Sequence, residues 1–507
     1  MTATLRGALM VCGTTSDAGK SRLVTGLCRA LARQGVRVAP FKAQNMALNS
    51  FVTRSGHEIG RAQGVQALAA GVAPEVDMNP ILLKPSSDRT SQVIVLGEPV
   101  GHLDAATYHA TKPALRNTVL AALDRLRAGF DVVLLEGAGS PAEINLLDGD
   151  LVNLWLADAA GIPAVVIGDI DRGGVFASLY GTVALLPDHL RSCVLAFVIN
   201  KFRGDPALLT PGLADLQART GIPTLGVLPW VEGLNLDAED SLALRQPWGD
   251  DAAGPNTLDV CVVRFPRISN FTDIDALGLE PDVTVRYVTH AAALGDPDLV
   301  ILPGTKATVA DLAWLRARGF EAALHALPST TTLLGICGGY QMLARRIDDP
   351  VESAAGVVEG LGMLPAETHF EPVKVTRPRT GTAALPGGPA QPVAGYQIHH
   401  GRTTSATPWI TLADTWGTGQ DGAINDDGSV LGTSLHGLFE CDEFRTAFLA
   451  AVAARQGKPF APSGLSFARA REAQFDRLAD MVEAHLDMAA VEKLIADALP
   501  VPSPETM

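Results

Sequence analysis

Strand-length apolar runs alternate with helical stretches twice along this chain, and that alternation leaves few folds open. In the first part the runs are 8–12, 36–41, 132–135, 164–168, 194–199 and 224–228, with helical patterns such as 20–33 and 114–127 between them. Near-continuous Val, Ile and Leu mark strands buried on both faces, so the alternation predicts a parallel sheet covered by helices on both sides. A polar segment rich in Pro and Gly, 246–256, reads as a linker. A second series begins at 258–265, continues through 284–288, 299–302 and 332–336, and closes at 430–435. From about Phe444 the pattern turns helical and Ala-rich and ends in a Pro-rich tail. At 507 residues the chain exceeds what one core ordinarily serves. The expected organisation is α/β: a parallel-sheet domain over 1–245, the linker 246–256, a second α/β domain over 257–444 and a helical extension over 445–507.

The balance of 40 basic and 55 acidic residues, a net −15, argues against nucleic acid as a partner. No run reaches the roughly 18 apolar residues that span a bilayer. The N-terminal apolar segment feeds straight into a glycine loop and reads as a first strand rather than a signal peptide, so a cytoplasmic setting is expected. The six cysteines have neither C-x-x-C pairs nor metal-ligand spacing. Cys12, Cys193 and Cys261 lie in apolar runs and read as small core residues. Oligomeric state is open at this level.

Gly13-Thr14-Thr15-Ser16-Asp17-Ala18-Gly19-Lys20-Ser21 follows a strand and opens a helix, the setting of a phosphate-binding loop. Backbone N–H groups along Gly13, Thr14, Thr15, Asp17, Ala18 and Gly19, with the helix N-terminus, are expected to cradle the phosphates of ATP. Lys20 would reach the terminal phosphates, and the Ser21 hydroxyl would ligate Mg²⁺. Five residues rather than four separate Gly13 from Gly19. That longer loop is similar to the dethiobiotin-synthetase-like branch of phosphate-loop enzymes, which activate carboxylates as acyl phosphates. Glu136 ends strand 132–135 where a second Mg²⁺ contact belongs, although a capping or solvated glutamate fits the same position. Asn200 ends strand 194–199; in related synthetases it reads adenine, and a turn-forming role is the alternative. Lys42 either reaches phosphate or a substrate carboxylate, or is a solvated surface lysine.

The second series carries Gly335-Ile336-Cys337-Gly338-Gly339 between a strand and a helical stretch. A Gly-x-Cys-x-Gly turn is the thiol counterpart of a nucleophile elbow, because glycine flanks let the backbone bend and expose one side chain. The Gly338 N–H then faces a developing oxyanion, and Gly304, in Pro303-Gly304-Thr305, supplies a second donor. His436, just after strand 430–435, is the expected base. An activated cysteine and a nucleotide loop in one chain point to an enzyme that frees a small nucleophile at one site and uses ATP to install it at another. Cys then His, with a glycine loop upstream, resembles the class I glutamine amidotransferase domain. That resemblance implies thioester hydrolysis of L-glutamine with release of ammonia. Its usual glutamate two residues after the histidine is replaced by Leu438, and Glu440 is wrongly spaced, so the group orienting His436 is unassigned. His399 and His400, in the strand-and-turn segment 396–401, read as structural.

Several stretches occur in order: 41–50 (FKAQNMALNS), 60–63 (GRAQ), 78–80 (MNP), 82–85 (LLKP), 136–143 (EGAGSPAE), 169–176 (DIDRGGVF) and 200–205 (NKFRGD). Together with the two loops they closely resemble the glutamine-hydrolysing cobyric acid synthase family of cobalamin biosynthesis. The resemblance implies a ligase that amidates the b, d, e and g carboxylates of adenosylcobyrinic acid a,c-diamide. ATP and Mg²⁺ would make an acyl phosphate, and glutamine-derived ammonia would attack it after crossing a shielded path between domains. Lys42, Gln44, Asn45, Asp171 and Arg172 are candidates for the corrinoid pocket, unless Asp171 and Arg172 simply pair with each other. The rivals are a cobyrinic acid a,c-diamide synthase, whose pattern fits 41–50 and 169–176 worse, and a non-enzymatic phosphate-loop switch ATPase, against which an intact Cys337 and His436 speak.

Overall fold

The computed structural model describes residues 5–87, 90–233, 254 and 256–498. The first core is a six-stranded, wholly parallel sheet. Side by side run Thr224–Pro229, Val194–Phe202, Ala164–Asp169, Gly7–Gly13, Val132–Glu136 and Val38–Phe41. Met10, Val133 and Val166 fall in one buried layer and Val11, Leu134 and Ile167 in the other. Two buried faces leave little room for polar side chains, which is why these strands are aliphatic runs that turn polar only toward their C-terminal ends, at Glu136, Asp169 and Asn200. Each such side chain contributes about 1.5–3 kcal/mol by leaving water.

Helix Lys20–Arg33 covers one face, beginning directly after the glycine loop. The helix expected over 114–127 runs Ala105–Gly129 and carries Pro113 inside it. Asp104 caps it upstream, accepting a hydrogen bond from Thr107 N–H at 2.8 Å. Between Val38–Phe41 and Val132–Glu136 the chain also builds a small sheet, ordered Gln44–Met46, Ile81–Pro85, Thr90–Val95 and Glu98–Asp104.

The second core has the order Val283–Val288, Leu258–Val263, Leu299–Leu302, Thr332–Ile336, Val430–Thr433 and Ala423–Ile424, parallel except at the last pair. Beside it lies a mixed sheet built on a long hairpin, Ala366–Ala383 against Gln391–Ser405. Residues 396–401 are therefore strand throughout, with no turn. Cys12 and Cys261 are buried as expected, whereas Cys193 is only half-buried, just ahead of its strand.

The C-terminal helices return to the first core. Phe467–His485 lies along Lys20–Arg33 and buries Leu478 and Val482 among Val24, Leu27 and Leu31. Met488–Ala496 follows, with Val491 and Ile495 in the same cluster as Leu9. Apart from Gly254 and Asn256, the linker 246–256 lies outside the described residues, as does the tail 499–507. Among the described residues no helix is long and apolar enough to cross a membrane.

Candidate active sites

Cys337 ends strand Thr332–Ile336 and precedes helix Gly338–Leu343, with its backbone at φ 49° and ψ −106°. A non-glycine residue held there costs on the order of 1–3 kcal/mol, so its neighbours must fix it. They do: Cys337 N–H donates to Thr433 O at 2.8 Å, and its carbonyl accepts from Gln341 N–H at 2.9 Å. The Pro303–Thr305 loop presses against the turn. A β-carbon on Gly339 would lie 1.9 Å from Leu302 O, and one on Gly338 would lie 2.6 Å from Thr305 Cγ2. The two expected oxyanion donors, Gly304 and Gly338, are thereby brought to the same place.

His436 follows strand Val430–Thr433 and is 1% exposed. Its Nδ1–H donates to Asp273 Oδ2 at 2.7 Å, while Asp273 Oδ1 accepts from Gly437 N–H at 2.8 Å. Tyr396 stacks on the imidazole with centroids 5.2 Å apart. Gly304 sits at the ring edge, where an added β-carbon would be 3.0 Å from Cε1. Burial by itself would lower the imidazole pKa; the Asp273 carboxylate and the hydrogen-bonded Cys337 sulfur raise it to about 10. The His436 imidazole is thereby held in its charged form beside the Cys337 sulfur.

Asp273 is the orienting group that the sequence left unassigned. Leu438 is core, and Glu440 is occupied by Arg61 at 3.1 Å and Arg471 at 3.2 Å. The available signal was a polar cluster, Ser269-Asn270 and Thr272-Asp273, soon after strand Leu258–Val263. His399 lines the cavity beside Cys337; burial, then the charges of Arg402 and His436, push it down to about 3, so it is neutral. His400 Nδ1 meets Glu371 O at 3.0 Å and its Nε2 meets Gln92 Nε2 at 3.4 Å.

At the other site Gly19 has φ 105°, and a β-carbon on it would lie 2.0 Å from Asn200 Nδ2. Asn200 donates to Ala18 O at 2.9 Å, so it holds the loop from behind. Lys20 Nζ donates to Thr15 O at 3.0 Å and Gly139 O at 3.2 Å, folded over the space the loop encloses. Thr14 N–H is committed to Ile167 O at 3.0 Å, and Asp17 is left-handed at φ 59°.

Glu136 is neither solvated nor a cap: it is 1% exposed and accepts from Ser21 Oγ at 2.9 Å, Lys42 Nζ at 3.0 Å and Gln66 Nε2 at 2.5 Å. Lys42 is likewise buried rather than a surface lysine. The Ser21 and Glu136 oxygens stand at about the 2.9 Å edge of an octahedron of oxygens around Mg²⁺, so the donor set fits that ion. Asp171 and Arg172 do not pair with each other. Asp171 pairs with Arg203 at 3.4 Å, and Arg172 with Asp169 at 3.7 Å and Asp17 at 3.8 Å. Both are open to solvent beside the loop, whereas Gln44 accepts from the Tyr108 hydroxyl and buried Asn45 donates to Gln63 Oε1 at 3.0 Å.

Fold and sites define a glutamine amidotransferase domain joined to a phosphate-loop nucleotide-binding domain. Residues 259–444 match the family described as the CobB/CobQ-like glutamine amidotransferase domain, and residues 9–243 the CobQ/CobB/MinD/ParA nucleotide binding domain. Over 99% of both chains this one is 53% identical to a protein of Nocardia farcinica named cobyric acid synthase. It is 51% identical to the protein of that name from Frankia casuarinae, again over 99% of both. With the one from Saccharopolyspora erythraea it shares 53% identity over 98% of this chain and 96% of that. The chain belongs to the cobyric acid synthase family.

Proposed function

We propose that this chain uses ATP and glutamine to amidate the b, d, e and g carboxylates of adenosylcobyrinic acid a,c-diamide, giving adenosylcobyric acid in the cytoplasm. Cys337 thiolate attacks the glutamine carboxamide carbon. The oxyanion forms against the N–H groups of Gly304 and Gly338, and His436 delivers its proton to the departing ammonia. Water then cleaves the thioester to glutamate. At the phosphate loop a corrinoid carboxylate takes the terminal phosphoryl group of ATP, and ammonia displaces phosphate from the acyl phosphate. Lys20 and the loop N–H groups hold the phosphates, and Asn200 stands beside the adenine position. Ser21 and Glu136 would hold Mg²⁺, which neutralises phosphate charge when bound. Asp171 and Arg172, exposed at the sheet edge, face the corrinoid. The division at 1–245, 246–256, 257–444 and 445–507 belongs to this reading.

One observation carries the transfer between sites: Lys84, from the small sheet of the nucleotide-binding half, lines the cavity that holds Cys337 and His436. Lys84 is buried and bonded to Glu58 at 2.7 Å and Ser50 Oγ at 2.8 Å, so the nucleotide-binding half supplies part of the wall of that cavity. The test is mass spectrometry of the corrinoid product made with ATP, Mg²⁺ and amide-labelled glutamine. One labelled nitrogen at each of the four positions b, d, e and g is expected. Cys337→Ala should incorporate none from glutamine and still amidate from added ammonium. Glutamine-supported amidation by that variant would sink the assignment of Cys337.

A further inference from the structure

We propose that Asn270 and Tyr396 are positioning residues that tie the catalytic imidazole to the nucleotide-binding half, so that glutamine hydrolysis responds to what the synthetase site holds. This rests on the function proposed above. Both peptide groups of Ser50 end on residues that hold His436. Ser50 N–H donates to Asn270 Oδ1 at 2.9 Å, which aims the Asn270 amide Nδ2 at His436 Nε2, 3.4 Å away. Ser50 C=O accepts from the Tyr396 hydroxyl at 3.5 Å, and the Tyr396 ring is the one stacked on the imidazole. Tyr396 and His436 also exchange backbone hydrogen bonds, at 2.8 and 3.1 Å. Beside them Phe271 N–H donates to Asn49 Oδ1 at 3.3 Å. Asn49, Ser50 and Asn270 are all buried, so these polar contacts are expensive to break singly.

The atom concerned is the one that moves the proton. Nδ1 is tied to Asp273, so Nε2 must take the thiol proton and hand it to ammonia. An amide N–H at Nε2 is satisfied when that nitrogen bears its lone pair, the state reached on delivery of the proton. Ser50 in turn is wired to the nucleotide site through buried backbone. Arg61 N–H donates to Asn49 O at 3.2 Å, and Asn79 joins Gly60 N–H to Lys42 O with two bonds of 2.9 Å. Lys42 itself bonds Glu136, the partner of Ser21 in the phosphate loop. A shift at Lys42 when nucleotide and corrinoid bind is therefore carried to Ser50, and from there to both supports of His436.

The experiment measures glutamate release by the full-length protein, with and without ATP, Mg²⁺ and the corrinoid acid, for the unsubstituted chain, Tyr396→Phe, Asn270→Ala and the double variant. Stimulation on the order of 5–150-fold is expected in the unsubstituted chain, the range of ordinary coupling between sites. The double variant should fall to within about twofold of no stimulation, on the same scale. Tyr396→Phe, which removes one hydroxyl, should lower the stimulated kcat for glutamine and leave its KM alone. An unsubstituted chain without stimulation, or variants that keep all of it, would overturn the proposal. Amidation from added ammonium, followed in the same preparations, separates the two ideas. Its absence in the unsubstituted chain condemns the assigned function, whereas its presence with unchanged stimulation condemns only the coupling. If Asn270→Ala fails to fold, Tyr396→Phe alone carries the test.

Discussion

Burial alone would strip the proton from His436, and two neighbours reverse that: first the Asp273 carboxylate bonded to Nδ1, then the Cys337 sulfur. A folded-state pKa of about 10 lies above the ordinary value of about 6.5. The stabilisation from charging this group is therefore fully present below about 6.5 and is lost as pH rises through about 10. Glutamate release should decline over that upper range. Asp273→Asn should draw the decline down toward about 6.5 and lower kcat by roughly 10²–10⁴-fold, the scale of a disabled general acid–base. A pH–rate profile that leaves the limb where it was would show that Asp273 does not orient the histidine. At the other site, Gly19→Ala places a methyl where Asn200 Nδ2 now lies, at a φ that L-residues resist. Amidation should vanish with glutamine and with ammonium alike, leaving the unstimulated release of glutamate.

Helix Phe467–His485 packs as part of the nucleotide-binding core, although in the chain it follows the whole amidotransferase sheet. Leu478→Ala removes a fully buried side chain from its contact face and should cost about 2–5 kcal/mol, read from urea denaturation. Arg33→Ala breaks pairs with Asp476 and Asp480 at the exposed rim and should cost no more than about 1 kcal/mol. If the two substitutions were equally costly, the helix would be held by charge rather than by packing. Elements of this kind differ in how openly a sequence states them. Strand Val132–Glu136 is legible because both faces are buried, so its first four residues are all Val or Leu. The hairpin Ala366–Ala383 with Gln391–Ser405 is not, because one face meets solvent and Glu367, His369 and Thr380 interrupt the apolar pattern. Cys337 and the phosphate loop announce themselves because glycine requirements are local. Asp273 does not, since the histidine it serves is 163 residues away and only the packed sheet brings them together.

At the scale of the whole molecule the two catalytic halves share buried polar contacts beside a small apolar cluster of Val52, Tyr396 and Ile398. Arg61 reaches Glu440 at 3.1 Å, Gln92 reaches His400 at 3.4 Å, and Lys374 of the long hairpin bonds Glu58. Contacts of this sort fix register between the halves while leaving each with its own aliphatic core. The polypeptide also closes on itself, with Ile495 O pressed where Gly7 has no side chain. A ribosome makes Leu9, Val24 and Val198 well before their cover, Leu478, Val482 and Ile495. During translation the first half thus waits with one flank bare while the second half matures, and chaperone demand should peak in that interval and subside when helices Phe467–His485 and Met488–Ala496 emerge.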